Sequence, residues 1–338
     1  MHWQPASGHN ILIVTDVWEP QVSGTVSVLK NLRRELIEKG HNVKILNPTD
    51  CRGTHKLIGH PTVEWGIPTT GTVRKWCNWA HNIHIDSPEG PIGLRTMWHC
   101  FWNRIPYTTS YNIRWPQRMP IPTVISKALL RFLHSRSKNV LVNSEELRQD
   151  LINDKFKNVN VWEHGVDRNV FNASNRQAVF CGKPLLICVS RITDDKNIEA
   201  FCQMQPLSAR STRVVIGEGP CREALQKKFP NIIFTGALYG AELAEWYANA
   251  DCLVFPTKTE TTGVAMMESM SCGTPVAAYP TDVTSNILSE GVTGCMHKNL
   301  RTAIQRALQL DRSIIDQNSR KWCSQSGADQ FLDHLTYH

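Results

Sequence analysis

The stretch that decides the fold runs from Phe255 to Val276 and reads FPTKTETTGVAMMESMSCGTPV. An apolar strand ends at Pro256, a polar loop containing Gly263 follows, and a helix then begins. Backbone N–H groups at a helix start form a ready site for an anion such as a diphosphate, and Gly263 lets a ligand approach the backbone closely. The stretch therefore predicts an α/β unit with an anion-binding loop.

Two carboxylates within this stretch suggest what the loop binds. Glu260 and Glu268 are eight residues apart, which is about 12 Å if the whole span is helical. This distance is too long for the carboxylate pair of a glycosidase. It fits two carboxylates that grip hydroxylated groups at opposite ends of a nucleotide sugar.

The rest of the chain continues the alternation of strands and helices. A strand at 10–15, a helical pattern at 26–39 that ends before Gly40, and a strand at 42–46 form the start of a parallel sheet. A second series begins at Pro184, with strands predicted at 185–190, 213–216, 232–235 and 252–256. We therefore predict two facing Rossmann-like domains, residues 1–175 and 176–315. The C-terminal segment, residues 316–338, is predicted to return to the first domain as part of a last helix at roughly 311–335. A ligand cleft is expected at the carboxyl ends of the strands.

Composition excludes several classes of protein. The 338 residues are 41% hydrophobic and 20% charged, as in an ordinary globular protein. The eleven cysteines have neither disulfide-framework nor zinc-ligand spacing, which favours free thiols in a reducing compartment. The N-terminus lacks the apolar core of a signal peptide, and the longest apolar runs have the length of buried strands. A cytoplasmic protein is predicted, with contact at the inner membrane surface.

The net charge of +7 is concentrated in one segment. Residues 90–139 contain eight Lys or Arg and no Asp or Glu, and seven aromatic residues are mixed among them. Such a segment suits an anionic partner: a lipid headgroup surface, a nucleic acid or a phosphorylated acceptor. The other interpretation is that the charged residues form an ordinary solvated surface and that the aromatic residues belong to the core.

The motifs together resemble a known family. Glu260 and Glu268 have the Glu-x7-Glu spacing of the retaining glycosyltransferases of family 4, which have the GT-B fold, and the chain is similar to their bacterial lipid and mannan glycosyltransferases. Other segments resemble the family in the same order along the chain. They are 15–24, Glu89–Gly93, 143–145, 165–167, Ser190–Lys196 and 217–220.

This resemblance implies roles for the matching residues. Arg191 and Lys196 are expected to bind the donor diphosphate and to neutralise the charge that grows on it as it leaves. Glu268 is expected to hold the ribose and Glu260 the transferred sugar. The other donor-binding residues implied are Gly24, Gly217, Gly219, Thr262, Gly263 and Val264. The family needs neither a metal ion nor a cofactor beyond the nucleotide sugar, so none is expected.

Candidate acceptor-side residues are Asp16, His84 and Asn112. Asn112 replaces the histidine that the family places near the C6 hydroxyl of the sugar. An asparagine can hydrogen-bond there but cannot titrate, so the donor sugar is a hexose or a pentose. His84 lies at a strand end and is either a site residue or a core histidine.

Three functions are compatible with these residues. The first is transfer of a sugar, with retention, from a UDP- or GDP-sugar to a glycan or glycolipid acceptor. The second is glycosylation of a modified base of DNA, with a pentose donor as one option, which the basic segment 90–139 also suits. The third is a non-catalytic binding module. The intact set of Arg191, Lys196, Glu260 and Glu268 argues against the third.

Overall fold

The computed structural model describes residues 8–19, 24–53, 55–57, 60–111, 123–177, 184–259 and 262–336. The chain divides into two compact units. Unit 1 comprises Met1–His164 and Gln325–His338, and unit 2 comprises Gly165–Ser324. Each unit has one six-stranded parallel sheet with helices packed on it. This confirms the predicted fold class.

The sheet of unit 1 has the strand order β2-β1-β5-β6-β7-β8, and all its strands are parallel. Its strands are β1 (Asn10–Val14), β2 (Asn42–Leu46), β5 (Asn82–Ile85), β6 (Thr108–Ser110), β7 (Val140–Val142) and β8 (Val159–Val161). A separate antiparallel pair consists of β3 (His55–Leu57) and β4 (His60–Trp65). The apolar run Ile11–Val14 is completely buried, because a central parallel strand is covered on both faces.

Helices connect the strands of unit 1. They are α1 (Gly24–Glu38), α2 (Thr70–Trp79), α3 (Pro91–Asn103), α4 (Thr123–His134), α5 (Glu145–Asn153) and the C-terminal α13 (Ser324–His334). Ser144 caps α5, since its hydroxyl oxygen accepts a hydrogen bond from the N–H of Leu147 at 3.2 Å. Within the segment Glu89–Gly93, α3 begins at Pro91, a residue that favours the first position of a helix.

Helix α13 packs on unit 1, as predicted for the C-terminal helix. The ring of Phe331 is fully buried and lies 4.9 Å from the ring of His84. The indole N–H of Trp162 donates to the carbonyl of Gly327 at 2.9 Å. This helix therefore completes the core of a unit whose other elements all precede residue 165.

The sheet of unit 2 has the order β11-β10-β9-β12-β13-β14 and is also fully parallel. Its strands are β9 (Leu185–Val189), β10 (Thr212–Ile216), β11 (Ile233–Gly236), β12 (Cys252–Phe255), β13 (Val276–Ala278) and β14 (Gly294–Met296). Its helices are α6 (Ile198–Gln203), α7 (Arg222–Lys228), α8 (Gly240–Asn249), α9 (Val264–Ser271), α10 (Asp282–Ile287), α11 (Leu300–Ala307) and α12 (Arg312–Ser319).

The end of the chain differs from the single helix predicted over 311–335. Two helices, α12 and α13, are separated by a turn around Trp322 and Cys323. The backbone there forms a parallel bridge between Val166 and Cys323, which a continuous helix could not make. Unit 2 accordingly extends from residue 165 to 324, so the sequence-based boundary at 175/176 falls inside it and α12 belongs to it.

The described cysteines are free thiols, most of them buried. In the part of the chain that the structure describes, no helix is both long enough and apolar enough to span a bilayer.

Candidate functional site

Three loops of unit 2 meet at the carboxyl edge of its sheet. They follow β9, β10 and β12, which are neighbouring parallel strands. The carboxyl ends of parallel strands lie at one edge, and in open α/β sheets this is the edge where ligands bind. The predicted donor-binding residues of unit 2 lie on these loops or on helix α9 directly after them.

The loop that carries Arg191 and Lys196 is fastened to the loop after β12 by three side-chain hydrogen bonds. The hydroxyl of Thr259 donates to the carbonyl of Asp195 at 3.0 Å. The amide of Asn197 donates to the carbonyl of Pro256 at 3.1 Å, and the hydroxyl of Thr257 donates to the carbonyl of Lys196 at 3.4 Å. The two loops thus form one surface, on which the residue Arg191 is exposed.

Glycines let the loop after β10 pack against the Arg191 loop. The N–H of Ile192 donates to the carbonyl of Glu218 at 2.8 Å. A Cβ atom on Gly219 would overlap the backbone carbonyl of Ile192, and one on Gly217 would overlap that of Ser190. Both glycines therefore position the backbone on either side of Arg191 by close packing.

Helix α9 begins at the same edge. Gly263 precedes it with a φ of +64°, a conformation that L side chains rarely adopt. The first N–H groups of a helix, here those of Val264 and Ala265, have no acceptors within the helix and carry partial positive charge. The next N–H group, that of Met266, donates to the carbonyl of Gly263 at 2.9 Å. Thr262, Gly263 and Val264 thus lie at the start of α9. Glu260 falls outside the described residues.

Glu268 lies inside unit 2, and its carboxylate has a defined partner. The hydroxyl of Tyr247 on α8 donates to Oε2 of Glu268 at 3.0 Å, and both residues are buried. Burial raises the pKa of Glu268 to about 7, and the hydrogen bond from Tyr247 acts in the opposite direction. Burial also raises the pKa of the Tyr247 hydroxyl, which therefore stays protonated and able to donate.

Sequence reasoning missed two residues of this edge. Tyr247 contacts Glu268 across 21 residues of chain, and no local pattern announces such a pair. Lys258, two residues before Glu260, places its ammonium group 5.0 Å from the ring centroid of Tyr279. A lysine in a polar loop gives no signal by itself, and only its place two residues before Glu260 could have drawn attention to it.

The candidate residues of unit 1 are differently placed. Asp16 follows β1, and its carboxylate accepts from the N–H groups of Ile92 at 2.9 Å and Gly93 at 3.1 Å. It therefore holds the first turn of α3. Burial raises the pKa of Asp16 to about 6, and these two backbone hydrogen bonds act against that rise. Gly90 allows this approach, because a Cβ there would overlap the Asp16 carboxylate.

Two more carboxylates lie near Asp16 at the carboxyl edge of the unit 1 sheet. Asp86 is buried directly after β5, and its Oδ2 accepts from the hydroxyl of Thr15 at 3.4 Å. Glu89 is partly exposed, and burial first, then the charges of Asp86 and Asp16, raise its pKa to about 7. A carboxyl that titrates near neutrality at this edge is a candidate acid or base on the acceptor side.

His84 is a core histidine. Its Nδ1 lies 2.9 Å from the hydroxyl of Thr108 and its Nε2 lies 2.9 Å from that of Ser110. The side chain is fully buried, and burial lowers its pKa to about 3. This geometry does not support an acceptor-side role for His84. Asn112 lies outside the described residues.

Gly24 is the first residue of α1, two residues before the helical pattern predicted at 26–39. Among the described side chains, no group of three or more His, Cys, Asp or Glu is arranged to hold a metal ion.

Solved structures define the class of this fold. The chain superposes on sucrose-phosphate synthase from Thermosynechococcus elongatus with a TM-score of 0.73 at 17% identity, covering 96% of this chain and 98% of that one. Anabaena HepE in complex with UDP and glucose gives a TM-score of 0.72 at 14% identity and the same coverage. The fold is the GT-B fold of glycosyltransferases.

Family models narrow the class. "Glycosyltransferase Family 4" matches residues 22–170, and "Glycosyl transferases group 1" matches residues 183–310. The chain belongs to the glycosyltransferases of family 4 and is an enzyme of that class.

Named relatives agree with this assignment. A sulfoquinovosyl transferase of Arabidopsis thaliana is 32% identical over 63% of this chain, which spans 45% of that protein. A GDP-mannose-dependent alpha-mannosyltransferase of Mycobacterium tuberculosis is 27% identical, over 86% of this chain and 84% of the relative. An alpha-monoglucosyldiacylglycerol synthase of Streptococcus pneumoniae is 26% identical, over 88% of this chain and 77% of the relative. None of these three is described as acting on a nucleic acid.

Proposed function

We propose that this glycosyltransferase moves a sugar, with retention of anomeric configuration, from a nucleotide-sugar donor to a glycolipid or glycan acceptor. The observation that carries the proposal is the convergence of the loops after β9, β10 and β12 in unit 2. They bring Arg191, Lys196 and the start of α9 to one edge, above the buried carboxylate of Glu268.

The donor diphosphate is assigned to the cationic part of this edge. Arg191 and Lys196 supply positive charge, and the first N–H groups of α9 add partial positive charge. These groups interact more strongly with the nucleoside diphosphate as it leaves, because its negative charge grows while the sugar bond breaks. The transition state is therefore stabilised more than the bound donor.

The ribose is assigned to Glu268. A buried carboxylate accepts hydrogen bonds from two hydroxyl groups best when it is ionised, and Tyr247 occupies only Oε2. Glu260 and the backbone of Thr262, Gly263 and Val264 are assigned to the transferred sugar. No side chain is assigned as a nucleophile, and the reaction is expected to proceed without a metal ion.

A lipid-linked acceptor is proposed on the strength of the relatives. The Streptococcus pneumoniae relative is named as a glucosyldiacylglycerol synthase, and it aligns over 88% of this chain. Residues 90–139, with eight cations and no carboxylate, suit an anionic membrane surface. The donor is expected to carry UDP or GDP, as the names of the similar proteins suggest.

The test begins with donor binding. Thermal unfolding is followed with UDP, GDP and ADP and with their sugars, and the true donor at a hundredfold excess over its Kd stabilises the fold by about 2.7 kcal/mol. The selected donor, radiolabelled, is then offered with diacylglycerol, glycolipid and oligosaccharide acceptors. The anomeric configuration of the product, read by NMR, tests retention.

Matched arginine variants test the site. Arg191→Ala is expected to lower kcat/KM by more than about a hundredfold, since it removes a charge that stabilises the transition state. Arg210→Ala is the control, because Arg210 is also exposed in unit 2 but precedes β10 at the opposite edge. Equal activity of the two variants would contradict the assigned donor site.

A further inference from the structure

Helices α3 and α4 expose a group of aromatic side chains. Trp98 is 46% exposed, Trp102 is 75% exposed and Phe132 is 59% exposed. Phe101 joins the two tryptophans by edge-to-face contacts, with ring centroids 5.8 Å from Trp98 and 5.4 Å from Trp102. The guanidinium of Arg136 lies 4.8 Å above the ring of Phe101. We call these five residues the α3–α4 patch.

A small apolar cavity opens within this patch. Its volume is about 90 Å³, and Trp98, Phe101, Phe132 and Arg136 line it together with Met97, Tyr107 and Leu133. Tyr107 is buried, and its hydroxyl has no hydrogen-bond partner among the described residues. The lining of the cavity is therefore mainly apolar, and Arg136 is its charged residue. At about 30 Å³ for each water-sized group, it accommodates three or four carbon atoms.

The charge around the patch has one sign. Residues 90–139 contain no Asp or Glu. The exposed charged residues of this segment that the structure describes are Arg95, Arg104, Arg131, Arg136 and Lys138. Exposed tryptophans beside arginines and lysines are typical of surfaces that contact the headgroup region of anionic membranes, where the rings enter the interface and the cations attract the headgroups.

The patch is separate from the catalytic edge of unit 1. Trp102 lies at the end of α3, Tyr107 directly precedes β6, and Arg136 lies between α4 and β7. These positions belong to the amino edge of the sheet, whereas Asp16, Asp86 and Glu89 follow strands at its carboxyl edge. A ligand of the patch therefore does not occupy the acceptor position of the proposed reaction.

We propose that the α3–α4 patch is a docking surface for anionic phospholipid membranes, with the aromatic rings in the interface and the cavity occupied by a short stretch of one acyl chain. This inference rests on the proposed function, since a lipid-linked acceptor is presented in a membrane. It adds a face of the molecule that retains the enzyme at the bilayer while the carboxyl edge carries out transfer.

Vesicle binding tests the inference directly. The full chain is sedimented with vesicles of phosphatidylcholine alone and with vesicles containing about a third phosphatidylglycerol. Binding is expected only to the anionic vesicles and is expected to weaken as salt rises. The double variant Trp102→Ser/Phe132→Ser is expected to bind about a hundredfold more weakly, because two exposed aromatic side chains no longer enter the interface. Arg136→Gln is expected to lower the affinity for anionic vesicles about fivefold.

Matched controls separate the patch from general surface effects. Ile67→Ser removes an apolar side chain that is 52% exposed elsewhere on unit 1, and it is expected to leave vesicle binding unchanged. Quenching of tryptophan fluorescence by lipids brominated on the acyl chain is expected to fall in Trp98→Phe/Trp102→Phe. Undiminished quenching in that variant would place the contact elsewhere and overturn the proposal.

Activity assays distinguish this proposal from the proposed function. With an acceptor dispersed in detergent, the double variant is expected to keep the kcat and donor KM of the wild type, while transfer to vesicle-borne acceptor falls. If no acceptor is glycosylated in detergent, the proposed function fails and vesicle binding still decides the docking surface. Wild-type binding by the double variant, no vesicle binding at all, or conversion of a dimer to a monomer by the double variant each overturns the docking proposal.

Discussion

Glu268 is a carboxyl group whose ionisation depends on its neighbours. Burial raises its pKa to about 7, and the hydroxyl of Tyr247 on Oε2 limits that rise. At neutral pH the group is thus divided between a protonated form and a carboxylate. Under the proposed assignment of the ribose to Glu268, the carboxylate accepts hydrogen bonds from the ribose hydroxyls better than the protonated form does, so this one residue links donor affinity to pH.

Tyr247→Phe tests this link. The substitution keeps the buried ring and removes the hydrogen bond that favours the carboxylate, so the pKa of Glu268 rises further. Nucleotide affinity at pH 7 is expected to fall about tenfold, and the pH below which affinity is lost moves upward. Titration calorimetry at several pH values measures both effects. Tyr107→Phe, which removes an unpartnered buried hydroxyl, serves as the control. An unchanged pH profile in Tyr247→Phe would falsify this role.

The same residue makes stability depend on pH. The pKa of Glu268 in the folded chain, about 7, exceeds its ordinary value of 4.5, so the folded state binds the proton more tightly. Its contribution to stability is therefore complete below about pH 4.5 and is lost as the pH rises to about 7, a change of roughly 3 kcal/mol. Glu268→Gln is expected to flatten this part of the stability curve, measured by urea denaturation at several pH values. A slope equal to that of the wild type would show that Glu268 does not titrate there.

At the scale of elements, the donor edge depends on loops that approach one another closely. Gly219 packs against the backbone of Ile192, and Thr257 and Thr259 bind the Arg191 loop from the other side. Helix α3 depends on a similar approach, since Gly90 gives the Asp16 carboxylate access to its first turn. In both places a glycine allows the close approach that positions a charged residue: Gly219 for Arg191 and Gly90 for Asp16.

Gly219→Ala is expected to displace the Arg191 loop, because the new Cβ overlaps the carbonyl of Ile192. Donor KM is expected to rise at least about tenfold while the fold is retained, as measured by steady-state kinetics and circular dichroism. Gly71→Ala is the control: the nearest atom to its Cβ is 3.7 Å away, and alanine in helix α2 is expected to stabilise the chain by about 0.5 kcal/mol. Wild-type donor KM in Gly219→Ala would contradict the packing argument.

At the scale of the whole molecule, the chain builds two cores, and one of them depends on its last helix. Phe331 on α13 is buried against His84 and Trp162, which belong to the first half of the chain. Unit 1 is thus complete only when the C-terminus is present, whereas unit 2 consists of one continuous segment. Because the two cores are separate, we expect a core substitution to lower the stability of its own unit and to leave the stability of the other unit unchanged.

Phe331→Ala and Phe201→Ala are matched variants for this prediction. Both rings are fully buried, Phe331 in unit 1 and Phe201 in unit 2. Each truncation is expected to cost about 3–5 kcal/mol. In scanning calorimetry, bound nucleotide is expected to raise the melting temperature of unit 2. Phe201→Ala is expected to lower the melting temperature of that transition, and Phe331→Ala is expected to lower the melting temperature of the transition of unit 1. A single transition that both variants shift equally would show that the units unfold together.

Much of the fold could be predicted from local patterns. The short apolar runs at 10–15, 42–46 and 185–190 became β1, β2 and β9 within a residue at each end, because buried parallel strands have few alternatives. Helices α2, α3 and α4 received no prediction. The start of α3 depends on hydrogen bonds to Asp16, a residue distant in sequence, and no local pattern records such a contact.

The sequence by itself determined the family of this protein and predicted its donor side. Strand patterns, the Glu-x7-Glu spacing and the Arg191–Lys196 segment are local features, and their order along the chain is enough to identify the fold. Only the tertiary structure decided the rest: Tyr247 holds Glu268, Asp16 caps α3, and His84 belongs to the core beneath α13. The physical reason is that hydrogen bonding and burial between distant segments set the ionisation and accessibility of a side chain, and spacing along the chain records neither.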